Sequence, residues 1–153
     1  MNERTLNCPR DATPLDMGRE HDIEVDRCPT CNGAWYDDEE LALLEATVAD
    51  DDERRGMIDY AKRESELACP VCTKPMRAFN YRAYNLELDA CTEEHGFWLD
   101  EGEANHVRDV MKDRVSGLQR SGAAQEAWDR AKRGDKGGGI MGNLRGLFGG
   151  RRG

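Results

Sequence analysis

The chain has 153 residues, 38% apolar and 35% charged, with a net charge of −9 and six cysteines. That balance leaves little apolar material for one large core and points to small modules held by external staples. No run of about 18 apolar residues offers a membrane span. The opening Met1-Asn2-Glu3-Arg4 lacks the basic-then-apolar pattern of a secretory signal, so a cytoplasmic protein is expected.

Taken in order, the chain first presents Cys8-Pro9-Arg10-Asp11, then a hairpin with one strand at 15–17, a turn at 18–22 and a second strand in which Ile23 and Val25 alternate with acids. Cys28-Pro29-Thr30-Cys31-Asn32-Gly33-Ala34-Trp35 follows directly. Asp37-x-x-Glu40 has the form of a capping box and predicts a helix whose inner face carries Leu41, Leu44, Glu45 and Val48. The acidic run Asp50-Asp51-Asp52-Glu53 reads as the cap of a second helix over 52–66, with Met57, Tyr60, Ala61 and Leu67 as its apolar positions.

The same order then recurs. Cys8-Pro9 falls on Cys69-Pro70, Ile23 to Cys28 on Leu86 to Cys91, and Gly33, Trp35, Asp37 and Glu40 on Gly96, Trp98, Asp100 and Glu103. Cys8 to Cys28 spans 20 residues and Cys69 to Cys91 spans 22, which places two extra residues at a loop tip. In the second copy a strand at 76–79, a turn at 80–85 and a strand through Leu86 and Leu88 lead, through a second capping box at Asp100-x-x-Glu103, to helices over 104–115 and 118–133, with Val107, Val110 and Met111 buried. Repeats are whole supersecondary units, so each copy should be one. The expected fold is a small, metal-stabilised α+β protein: two tandem zinc-ribbon hairpins, each followed by helices, divided as 1–67 and 68–133. Trp35, Tyr36, Phe97, Trp98 and Leu99 are expected to be core residues beside the sites.

Paired cysteines in a reducing compartment favour metal over disulfides. Zinc takes four Cys, His or carboxylate ligands in a tetrahedron, and C-x-x-C delivers two thiolates from one turn. Site one holds Cys8, Cys28 and Cys31. Asp11 stands at the spacing of its fourth ligand, with His21 as a competitor and water as the alternative, so this site is expected to be the weaker. Site two holds Cys69, Cys72 and Cys91, with His95 preferred over Glu94 on ligand type. No H-E-x-x-H, G-x-S-x-G or phosphate loop accompanies either set, and no enzyme activity is expected. The alternative is a thiol or iron-thiolate redox protein using the paired Cys turns.

From residue 134 the composition changes, with nine glycines in the last twenty residues. Such a chain reads as a flexible tether. Within it, 140–148 spaces Ile140, Met141, Leu144, Leu147 and Phe148 as one face of a helix. The tail carries Lys136, Arg145, Arg151 and Arg152 against Asp135, a net +3, which leaves −12 on residues 1–133. A body so acidic repels phosphate backbones and disfavours nucleic acid as a partner.

The stretch Cys-Pro-Arg-Asp-Ala-Thr-Pro-Leu, followed by Ile-Glu-Val-Asp-x-Cys-Pro-x-Cys-Asn-Gly-Ala-Trp-Tyr-Asp-x-Glu-Glu-Leu, resembles the transcription factor IIB-type zinc-ribbon family of small prokaryotic proteins. The resemblance covers residues 7–45 strongly and 68–104 as a diverged second copy. It implies zinc ligation by Cys8, Cys28 and Cys31 and by Cys69, Cys72 and Cys91. Asp11, Glu94 and His95 depart from the four-Cys pattern. The expected function is a non-enzymatic zinc-binding module for macromolecular interaction, through the ribbon surface or the tail 140–148, with transcription or protein assembly an association only. A protein partner is preferred, with weak contact of the tail on an anionic membrane as the lesser reading.

Overall fold

The computed structural model describes residues 5–134. Its first compact unit is Met1–Arg114. Seven strands make one antiparallel sheet there: β1 (Asp16–Glu20), β2 (Ile23–Arg27), β3 (Ala34–Tyr36), β4 (Asp59–Ala68), β5 (Pro75–Tyr81), β6 (Glu87–Ala90) and β7 (Phe97–Leu99). Their order is β1-β2-β3-β7-β6-β5-β4. The two hairpins therefore meet edge to edge at β3 and β7, where Trp35 lies opposite Trp98, Ala34 opposite Leu99 and Tyr36 opposite Phe97. The expected boundary between residues 67 and 68 falls inside β4, in a sheet common to both copies.

The first hairpin turns on His21 and Asp22, both with positive φ (51° and 64°), the two-residue turn whose twist matches the flanking strands. In the second, Tyr81 N–H donates to Leu86 O across a longer loop, so the two extra residues do sit at the tip. Successive side chains point to opposite faces of a strand, and the sheet sorts them accordingly. Ile23, Val25, Tyr36, Leu88, Phe97 and Leu99 belong to a core on one face. Trp35, Met76 and Trp98 join Cys8, Cys28, Cys69 and Cys91 in a second cluster on the other.

The first core is covered by α1 (Asp38–Ala46) and by the start of α2 (Glu103–Gly134). At α1 the capping box forms as the sequence predicts: Glu40 N–H donates to the Asp37 carboxylate at 2.7 Å and Asp37 N–H to Glu40 at 2.8 Å. Leu41, Leu44 and Glu45 are buried, as are Val107, Val110 and Met111 of α2. Glu45 reaches the buried Arg82 at 2.7 Å, and Arg82 also donates to Arg54 O at 2.6 Å, tying α1 and the loop after it to the tip of the second hairpin.

Two expectations are corrected. The helix predicted over 52–66 is not formed; β4 occupies Asp59–Ala68 instead. The cap itself is present, since Glu53 N–H bonds Asp50 at 2.8 Å and Asp50 N–H bonds Glu53 at 3.0 Å, but Gly56 at φ 108° ends the turn. The chain then pairs with β5, whose backbone groups would otherwise form a bare sheet edge. Ala61, at φ 49°, lies at the register shift between Tyr60 and Arg63, so the spacing that reads as helical is that of an irregular strand.

The helices expected over 104–115 and 118–133 are one continuous α2. Glycine costs only about 1 kcal/mol inside a helix, and Gly117 does not break this one. The second unit, Val115–Gly153, is described only as far as Gly134 and consists of this helical stretch. Leu118 and Trp128 are exposed on it, and Lys132 Nζ stands 5.3 Å from the Trp128 ring centroid. The apolar motif 140–148 lies outside the described residues. Among the described residues no helix is long and apolar enough to cross a membrane.

Candidate metal centres

Each cysteine turn is built by a short backbone ring. Cys8 N–H donates to Thr13 O at 2.8 Å while Ala12 N–H returns to Cys8 O at 2.9 Å; Cys28 with Gly33 and Asn32, and Cys69 with Lys74 and Thr73, repeat the pattern. In all three the fifth residue takes positive φ: Ala12 at 61°, Asn32 at 61° and Thr73 at 65°. The ring turns the first and fourth side chains to one side. Backbone N–H groups also point at sulfur, from Arg10 to Cys8 at 3.4 Å, Cys31 to Cys28 at 3.4 Å and Val71 to Cys69 at 3.3 Å. Donors of this kind favour a thiolate.

The fourth turn departs from this pattern. Cys91 N–H still donates to Gly96 O at 3.0 Å, but the return bond comes from Glu94 N–H, one residue earlier, at 3.2 Å. Positive φ moves with it, to Glu94 at 63°. Shifting the left-handed residue by one position brings the fifth side chain, His95, to the place that the fourth occupies elsewhere. A C-x-x-C pair thereby becomes a C-x-x-x-H pair.

Two groups of donors result. Cys8, Asp11, Cys28 and Cys31 offer ligand atoms all within 4.8 Å of one another, and so do Cys69, Cys72, Cys91 and His95. In the first, Cys8 Sγ is 3.6 Å from Cys31 Sγ and Cys28 Sγ is 3.6 Å from Asp11 Oδ1. In the second, Cys72 Sγ is 3.6 Å from Cys91 Sγ, and His95 presents Nδ1 at 3.3 Å from Cys91 and 4.0 Å from Cys69. His21 is elsewhere, at the far hairpin tip, with Nε2 2.8 Å from Asn105 Oδ1. Glu94 lines a cleft with Asp38, Leu41 and Phe97 and is not among the grouped donors.

The electrostatics suit a cation. Burial pushes the Cys8 and Cys69 thiols up to about 12. Burial also pushes Cys28 up, yet backbone N–H groups of Cys31 and Thr30 outweigh it and hold that thiol below its usual value. The Lys74 N–H draws Cys72 down to about 7. Hydrogen bonds from Thr13 hold Asp11 below the usual carboxylate range. Each group thus mixes thiols that ionise easily with buried ones that do so only when a positive charge arrives, so metal binding must release protons.

A family model described as transcription factor zinc-finger matches residues 7–46 and again residues 68–109, together more than half of the chain. The chain belongs to this family. Comparison with curated proteins and with solved structures gave no match. The two copies of the transcription factor zinc-finger model coincide with the two donor groups, and each group supplies the sulfur, nitrogen and oxygen donors that tetrahedral zinc accepts. Both groups fit zinc, and the chain is a zinc-binding module with two such sites.

Sequence reasoning did not find the packing around these centres. Trp98 of the second copy lies against Gly33 in the first copy's turn, where an added Cβ would stand 2.4 Å from Trp98 Cζ2. Reciprocally, a Cβ on Gly96 would stand 2.9 Å from Trp35 Cζ2. Asp100 does not cap α2 with its side chain as Asp37 caps α1: it accepts from Trp98 Nε1 at 3.0 Å and from both Arg10 Nε and Arg10 Nη2, the latter at 2.6 Å. Only the other half of that box is made, with Asp100 N–H donating to Glu103 at 2.7 Å. The readable signal was the twice-occurring Gly-x-Trp, since a glycine and a large aromatic at fixed spacing suggest that one receives the other.

Proposed function

We propose that this chain is a non-enzymatic, cytoplasmic interaction module in which zinc is structural and a protein is the partner. The observation that carries the reading is that each donor group already contains four protein side chains. A tetrahedral zinc so enclosed keeps no position for water or substrate, unlike a catalytic zinc with three protein ligands. Asp11 and His95 within the sets also favour zinc over a thiolate iron centre, which uses sulfur throughout.

The surface supports a protein partner over nucleic acid. Residues 1–133 carry −12 by the sequence, and a phosphate backbone gains nothing from such a field. The terminal strands β1 and β4 carry the exposed Met17 and Tyr60, an arrangement to which an extended segment could add as a further strand. The tail motif 140–148 is the second candidate surface on sequence grounds.

Affinity capture tests this with four samples: the zinc-loaded chain, the metal-stripped chain, Met17→Lys, and a chain ending at Arg133. Liposomes of anionic lipid are run alongside. Partner loss on stripping and in Met17→Lys, with retention in the shortened chain, places the interface on the ribbon edge; loss in the shortened chain places it on the tail. Identical capture from all four samples contradicts the interaction reading. Flotation of the full chain alone would move the tail's role to the membrane.

A further inference from the structure

We propose that the two metal centres are thermodynamically coupled, each raising the other's affinity, because the turn that holds each metal is completed by a tryptophan from the opposite ribbon. The proposal rests on the metal reading of the two donor groups and is independent of the partner reading.

Gly33 closes the ring of the Cys28–Cys31 turn through its carbonyl, and Gly96 closes that of Cys91. These are the residues on which Trp98 and Trp35 lie, respectively. The two indoles are directly opposite each other in the β3–β7 ladder, so both are placed by one strand pair. Both tryptophans and the four most buried cysteines share a single cluster, in which Cys28 and Trp98 have no exposed surface at all. Binding metal at one site fixes its turn, hence the strand leaving it, hence the indole that covers the other turn. The second metal then meets a turn that is already ordered and has less entropy to lose.

A polar connection reinforces this in one place. The Arg10 N–H donates to Cys8 Sγ, and its guanidinium grips Asp100 through two nitrogens. Asp100 in turn holds the Trp98 indole N–H, and Trp98 lies on Gly33. Both turns of site one are thus joined to β7 and to Asp100, the residue that follows it. The matched residues in the other direction are Val71, which has no such group, and Asp37, whose carboxylate is occupied in capping α1. The connection is asymmetric in structure, yet the coupling it creates acts equally on both sites, since linkage between two binding events is reciprocal.

Cadmium binding to the full chain provides the test, because cadmium NMR separates a site of three sulfurs and one oxygen from one of three sulfurs and one nitrogen. Site-one affinity is measured by chelator competition in the wild type and in His95→Ala, and site-two affinity in the wild type and in Asp11→Ala. Each should fall by the same factor, about tenfold. Arg10→Gln keeps all eight donors and the backbone N–H to Cys8 while losing the guanidinium pair. It should still fill both sites at saturation, with the coupling factor reduced about threefold and partly restored by Arg10→Lys. Because no ligand is altered, Arg10→Gln still measures the coupling where a ligand variant fails to fold. Site affinities that stay within about twofold when the other site is silenced, or a coupling factor in Arg10→Gln equal to wild type, overturn the proposal. A chain that binds no cadmium at either site would overturn the metal reading itself.

Discussion

The two ribbons share a hairpin, a pair of cysteine turns and a following helix, and differ in the donors they bring to the metal. Asp11 stands where the second copy has Cys72, and Cys31 where it has Glu94, with the deficit made up by His95. The first substitution leaves the backbone ring unchanged, because Asp11 and Cys72 both follow the same pattern of return bond and positive φ. The second is accompanied by a moved left-handed residue. A metal site can therefore keep four donors by swapping chemistry on a fixed turn or by re-aiming the turn, and this chain does each once.

Chelation produces the largest expected effect. A structural zinc contributes about 10–16 kcal/mol in modules this small, so stripping both should abolish the far- and near-ultraviolet circular dichroism of residues 1–114. Retention of those signals without metal would remove the structural role from both ribbons at once.

Ligand substitution then separates them. Since four ligands share that energy, His95→Ala should cost site two roughly 3–4 kcal/mol, on the order of a few hundredfold in zinc affinity. Glu94→Gly, which removes a side chain at positive φ without touching a donor, should leave affinity unchanged and stabilise the fold by about 1 kcal/mol. The opposite ranking in a chelator titration would make Glu94 the ligand.

Much of this was legible in the sequence. The Cys-Pro turns and the Gly-x-Trp pairs are local patterns, and a local pattern that occurs twice constrains itself; of the two Asp-x-x-Glu boxes only that of Asp37 forms in full. The donor set, the hairpins and the buried faces of α1 and α2 follow from that. β4 was not legible, because Met57, Tyr60 and Ala61 have helical spacing and only the bare edge of β5, supplied from residues 75–81, converts the segment to a strand. The joining of the ribbons was hidden for the same reason: Arg10 and Asp100 are 90 positions apart, and nothing near either residue announces the other.

Glycine substitutions probe that joining. Gly96→Ala would place its Cβ 2.4 Å from Tyr36 O at φ 153°, a collision with backbone as well as with Trp35. The cost should be about 2–4 kcal/mol in denaturant melts of the zinc-loaded chain. Gly33→Ala meets the Trp98 ring and should cost about 1–2 kcal/mol. Equal, negligible costs would mean that the tryptophans do not lie on the opposite turns.

The smallest effect is one of pH at the second cap. Burial, then the nearby Asp100 and Asp89, raise Glu103 to about 7 against the Asp100 N–H that lowers it. A carboxyl raised in the folded state is a penalty that is absent below its ordinary value of 4.5 and complete above about 7. Glu103→Gln keeps an acceptor for Asp100 N–H, so it should gain about 1 kcal/mol above neutrality, with the gain shrinking as pH falls. A gain that is independent of pH would assign it to helix propensity instead.

The central claim, two structural zincs in two unlike donor sets, is tested most directly by elemental analysis of the full chain purified without added metal. Two zinc ions per chain are predicted. Iron in place of zinc, or a single metal ion per chain, would contradict it.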